Sequence, residues 1–109
     1  MMREKTNSNQ ILYRLNSAAL EKGIDLTEFQ KILYLRILDY ALANGEVSAE
    51  GLILELKTDD YVRLFNVAKG GLPAFFKKLS ECGIILRFNN GTRKAATIVL
   101  KKEFYQKEG

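Results

Sequence analysis

Ile11, Leu12, Leu15, Ala18 and Ala19 recur three and four residues apart, which places them on one face of a helix. Asn7 or Ser8 can cap its start and Gly23 can end it in a left-handed conformation, so a first helix is predicted over residues 8–22. A second is predicted over residues 25–44. Asp25 with Glu28 reads as a capping box, Ile24 with Phe29 as a hydrophobic staple, and Asn44-Gly45 as a left-handed closing turn. This helix carries Leu26, Phe29, Ile32, Leu33, Tyr34, Leu35, Ile37, Leu38, Tyr40, Ala41 and Leu42, more than one core-facing stripe requires. Both of its faces need cover. Either it lies at the centre of the monomer, or the core covers one face and a second subunit the other. The shortness of the chain favours the second arrangement, a homodimer through the N-terminal helices.

Residues 48–57 read both ways. Ser48, Ala49 and Glu50 could open a helix, but Leu52, Leu54 and Leu56 alternate as in a strand, and Gly51 tilts the reading to strand. Thr58 is placed to cap a short helix through Phe65 whose first turn holds Asp59 and Asp60, where a helix N-terminus favours negative charge. After a turn at 66–71, Leu72, Phe75, Phe76, Leu79 and Cys82 form the inward face of another helix. Pro73 is tolerated in its first turn and Gly83 ends it. Two strands, 84–88 and 92–100, then flank Asn89-Asn90-Gly91, a hairpin signal.

The stretch YVRLFNVAKGGLPAFFKKLSECGIILRFNNGTRKAATIVL thus orders a short helix, a glycine-containing turn, a second helix and a hairpin. With the run from Leu79 through Gly83-Ile84-Ile85 to Arg87, it resembles the winged helix-turn-helix superfamily over residues 46–100. The resemblance implies a mainly α fold with a small β-hairpin, preceded here by an extra N-terminal helix. The whole chain, 1–109, would be one domain: N-terminal helix 8–22, core helix 25–44, helix-turn-helix 58–83, wing 84–100 and C-terminal tail 101–109. In this superfamily the second helix of the motif enters the major groove of double-stranded DNA. Its outward positions here, Gly70, Gly71, Pro73 and Ala74, cannot read base edges. Lys77 and Lys78 suit phosphate, and Lys69 lies beside helix N-terminal amides, an anion site. Gly70 and Gly71 read equally as a tight packed turn or as phosphate contacts. The wing is better equipped. Arg87, Asn89, Asn90, Gly91, Thr92, Arg93 and Lys94 cluster there, and arginine and asparagine can bond base edges or enter a narrow minor groove.

Composition narrows the function. The 109 residues are 47% hydrophobic and 28% charged, an ordinary globular balance. No apolar run approaches the ~20 residues that span a bilayer, and Met1 to Gln10 is polar, so the protein is expected to be cytoplasmic without membrane contact. The chain has no histidine and one cysteine, Cys82, read as a buried structural thiol. No metal site, cofactor or catalytic residue is expected, nor enzyme activity. Charge is uneven: residues 1–60 hold 7 Lys or Arg against 10 Asp or Glu, residues 61–109 hold 10 against 3. The C-terminal part is therefore a candidate polyanion surface.

Without a sensing site, the chain reads as a DNA-binding accessory factor at a plasmid or mobile-element origin, in conjugative transfer, partition or replication. The wing-heavy basic surface is similar to the origin-binding relaxosome accessory proteins of Gram-positive conjugative plasmids, which implies a relaxase or another plasmid protein as a partner. A transcriptional repressor is the alternative. A protein-interaction winged helix is the third reading, with Tyr34, Tyr40, Phe104 and Tyr105 as partner surface. The tail either packs back on the protein or trails along DNA.

Overall fold

The computed structural model describes residues 4–88 and 95–107. The expectations placed on Asn89, Asn90, Gly91, Thr92, Arg93 and Lys94 fall outside them.

Helix α1 (Ser8–Lys22) is capped as the sequence predicts. The Asn7 side chain accepts from the Gln10 N–H at 2.8 Å, and Gly23 at φ 68° turns its own N–H back onto the last carbonyls. Helix α2 (Glu28–Asn44) begins three residues later than expected. Its capping box is Thr27 with Gln30: the Thr27 hydroxyl accepts from the Gln30 N–H at 3.1 Å, and the Gln30 carboxamide accepts from the Thr27 N–H at 3.0 Å. The frame shifts because Leu26 is buried, which fixes where the chain turns into the helix. Phe29, expected to staple Ile24, stands 60% exposed. At the other end Gly45 is extended, at φ −79° and ψ 167°, and not left-handed. A glycine is still needed there, since a Cβ would come within 2.7 Å of the Ala41 carbonyl oxygen.

Strands β1 (Glu46–Val47), β2 (Gly51–Leu56), β3 (Ile85–Phe88) and β4 (Ala96–Lys101) form an antiparallel sheet in the order β1-β2-β4-β3. The hairpin of the sequence reading is thus part of a larger sheet, and the ambiguous 48–57 stretch is a strand. Gly51 permits the register: it pairs with Lys101, and a Cβ on it would lie 1.9 Å from the Leu100 carbonyl oxygen. Between β2 and β3 lie helices α3 (Thr58–Phe65) and α4 (Leu72–Glu81), joined through a single 3-10 turn at Lys69–Gly71. Helices α2, α3 and α4 with strands β2, β4 and β3 have a winged helix-like arrangement, and α1 precedes it.

The core explains the apolar excess of α2. Leu33, Tyr34, Ile37, Leu38 and Ala41 are buried, and α1 covers one side while β2 and α3 pack against the other. Much of the cover that the sequence reading assigned to a second subunit is supplied within the chain, while Phe29 and Ile32 of α2 stay exposed. The tail supplies part of it. After a 3-10 turn at Lys102–Phe104, Tyr105 is fully buried, Thr6 N–H donates to its carbonyl at 2.8 Å, and Arg14 of α1 donates to the carbonyls of Glu103 and Gln106 at 3.2 and 2.9 Å. The tail packs back through Gln106 and does not trail. Tyr34 and Tyr105 are therefore core residues, which removes them as partner surface, and Tyr40 and Phe104 are half-buried. Among the described residues no helix is long and apolar enough to cross a membrane.

Candidate nucleic-acid interface

Helix α3 begins directly from β2. Thr58 is its first residue and Lys57 holds the capping position, one residue before the cap expected from the sequence. The Asp60 carboxylate closes the turn instead: it accepts from the Lys57 backbone N–H at 3.0 Å and from Arg63 at 3.2 Å. These bonds hold its carboxyl below the usual carboxylate range. Asn66, at φ 53°, ends α3 in a left-handed turn.

The inward side of α4 is as predicted, with Leu72, Phe75, Phe76 and Leu79 buried and Cys82 following them into the core. Burial pushes the Cys82 thiol pKa up, the opposite of an activated thiolate. Pro73, Ala74 and Lys77 face solvent. Lys78 does not stand free: its ammonium donates to the Asp25 carbonyl at 2.7 Å and the Gln30 carboxamide at 3.2 Å, clamping α4 to the start of α2. Gly70 and Gly71 are exposed, a Cβ on either would meet nothing within 4 Å, and neither has a positive φ. The two glycines do lie in a tight 3-10 turn, but neither close packing nor backbone conformation calls for glycine there.

The strand period of two explains where Arg87 goes. Ile85 pairs with Leu100 and Arg87 with Ile98, so these residues share the helix-facing side of the sheet. Ile85 is buried there, and Arg87, two residues on, passes beyond the core edge. Its guanidinium lies 5.3 Å from the centre of the Phe76 ring. Phe76 in turn meets the Tyr61 ring edge-on at 5.0 Å, and Tyr61 meets Phe65 at 5.9 Å. An aromatic ladder thus ties the first helix of the motif to the second and to the wing.

Beside this ladder a cleft of about 490 Å³ opens between α3, α4 and the wing sheet, with Lys57, Asp59, Tyr61, Lys69, Phe76 and Arg87 on its walls. Lys69 and Asp59 pair loosely at 3.7 Å. Tyr61 is only 3% exposed, and its hydroxyl makes no hydrogen bond among the described residues. Burial raises its pKa above the ordinary 10.0, opposed by the nearby Arg87 charge. The fold therefore joins two sequence-predicted residues, Lys69 and Arg87, and adds two that sequence reasoning missed. Lys57 carries a detectable signal, a lysine at a strand-to-helix junction. Tyr61 carries none beyond its apolar spacing. Among the described residues no group of His, Cys, Asp or Glu could hold a metal ion.

No family model matches the sequence, and no curated protein matches it. Two solved structures share the fold. One, described as the N-terminal domain of a DNA binding protein, superposes with a TM-score of 0.57 at 22% identity over 70% of this chain and 61% of its own. The other, described as the structure of a Rep-DNA complex, gives a TM-score of 0.61 at 21% identity over 77% of this chain and 69% of its own. This chain spans less than two thirds of the length of the first.

Proposed function

We propose that this protein binds double-stranded DNA in a sequence-specific manner, as a homodimer and without catalysing a reaction, and serves as an accessory factor at a plasmid or mobile-element origin. The observation that carries the reading is the meeting of Lys57, Lys69 and Arg87, far apart in sequence, in one cleft between the helix-turn-helix and the wing. Polyanion binding draws its affinity from such cation clusters, and backbone contacts set the register on the duplex. The open backbone of Gly70 and Gly71 lets a ligand approach the start of α4 closely. The fold shared with a Rep-DNA complex and with a DNA binding protein domain supports the same reading. Specificity is assigned to the wing, since the exposed residues that open α4 offer few groups for base edges. The dimer rests on the apolar residues that α1 and α2 leave in solvent: Tyr13 at 67%, Leu20 at 83% and Ile32 at 53% exposed. A relaxase or another plasmid protein would join it at the origin.

The test is a fluorescence-anisotropy titration of a labelled duplex at increasing salt. Affinity is expected to fall on the order of 10³-fold between 50 and 200 mM salt. Arg93→Ala should weaken binding well beyond Lys107→Ala. No binding at low salt would end the reading.

A further inference from the structure

We infer that the cleft between α3, α4 and the wing seats one phosphate group of the DNA backbone, with the Tyr61 hydroxyl and the Arg87 guanidinium as paired donors and Lys57 as the neighbouring charge. The inference rests on the DNA-binding reading and names what the duplex places in that cleft.

Tyr61 is the first reason. A buried hydroxyl ordinarily finds an acceptor, because leaving it without one forfeits the bond it made to water. Tyr61 is a core residue by its ring, packed between Phe65 and Phe76, and phenylalanine would fill that place as well. Among the described residues the hydroxyl has no hydrogen-bond partner. Arg87 is the second reason: among the described residues it makes no ion pair, and its guanidinium lies over the face of the Phe76 ring. A phenol and a guanidinium both donate, so the group that completes them must accept from both. A phosphate oxygen does so, and guanidinium geometry suits phosphate. Lys57 adds charge and makes no ion pair with a carboxylate among the described residues. The one carboxylate on the walls, Asp59, is exposed and loosely balanced by Lys69, so it works against an anion without blocking the seat.

The experiment compares wild type, Tyr61→Phe and Asp59→Asn on a duplex that carries single methylphosphonate substitutions, with thermal melting as the control on folding. Tyr61→Phe is expected to melt at or above the wild-type temperature, because it removes only an unsatisfied oxygen. It should lose about three- to tenfold in affinity for the unmodified duplex. One methylphosphonate position should weaken the wild type more than it weakens Tyr61→Phe, which keeps Arg87 and Lys57 but has lost one donor, and Asp59→Asn should bind more tightly than wild type. A second arm adds inorganic phosphate. Raised melting of the wild type but not of Tyr61→Phe, with equal duplex affinities, would keep the seat and overturn its assignment to the DNA backbone. If all three proteins bind the duplex equally, no methylphosphonate position distinguishes them and phosphate shifts neither melt, the seat is overturned while DNA binding stands. Absence of duplex binding by the wild type is the separate failure of the functional reading.

Discussion

The guanidinium of Arg87 lies 5.3 Å from the centre of the Phe76 ring, so a wing strand and the second helix of the motif share one cationic and aromatic edge. An exposed contact of this kind contributes roughly 0.5–1 kcal/mol. The fold therefore does not depend on it, whereas a ligand phosphate would. Arg87→Ala is expected to shift stability by less than about 1 kcal/mol in urea titration. It should lower duplex affinity by about five- to tenfold and reduce the salt slope by about one. Unchanged affinity and slope would remove Arg87 from the interface.

Gly70 and Gly71 stand where side chains would fit. Alanine at either position should leave the protein as stable or add about 0.4–1 kcal/mol, since it narrows the unfolded ensemble without strain. If a duplex approaches this backbone, the same substitutions weaken binding. Melting temperature and anisotropy measured on the same samples separate the two effects.

Gly51 behaves in the opposite way. A Cβ 1.9 Å from the Leu100 carbonyl oxygen forces apart the end of the ladder between β2 and β4, the two central strands. Gly51→Ala is expected to cost on the order of 3 kcal/mol or more, read from chemical denaturation followed by circular dichroism.

Two of the five tyrosines should resist alkali. Tyr34 is fully buried and its phenol, like that of Tyr61, is pushed above its ordinary 10.0, chiefly by desolvation. A raised folded-state value means that stability is complete below pH 10 and declines as pH rises beyond it, because the unfolded chain can ionise these groups and the folded one cannot. The decline is about 1.4 kcal/mol per pH unit for each phenol. Absorbance at an alkaline-sensitive wavelength should show at least two phenols that titrate only together with unfolding. Smooth titration of all five in the folded state would contradict their burial.

The exposed apolar residues of α1 and α2 test the homodimer. Leu20→Glu and Ile32→Glu should raise the dimer dissociation constant by about tenfold or more, since burying a leucine side chain contributes ~1.5–3 kcal/mol and 1.4 kcal/mol is a factor of ten. Sedimentation velocity reads the mass directly. A wild-type monomer at every concentration would remove the interface.

Local chemistry was legible in the residues themselves. The Asn7 cap, the Gly23 stop, the inward face of α4 and the alternation of 52, 54 and 56 depend on neighbours within a turn or a strand, and the period of apolar positions reports them directly. Where two local signals competed, sequence reasoning chose the wrong frame. Asp25 with Glu28 and Thr27 with Gln30 both satisfy a capping box, and the burial of Leu26 decides between them. The apolar excess of α2 was read correctly as a need for cover, but the sequence did not show how much of that cover the same chain supplies. A pattern along one helix says how much surface must leave water and nothing about which segment covers it, and here α1 and the Tyr105 tail do so. The same limit hid the cleft. That Lys57, Tyr61 and Arg87 meet follows from strand register and from helix packing at long sequence separation, and only the folded chain sets those distances.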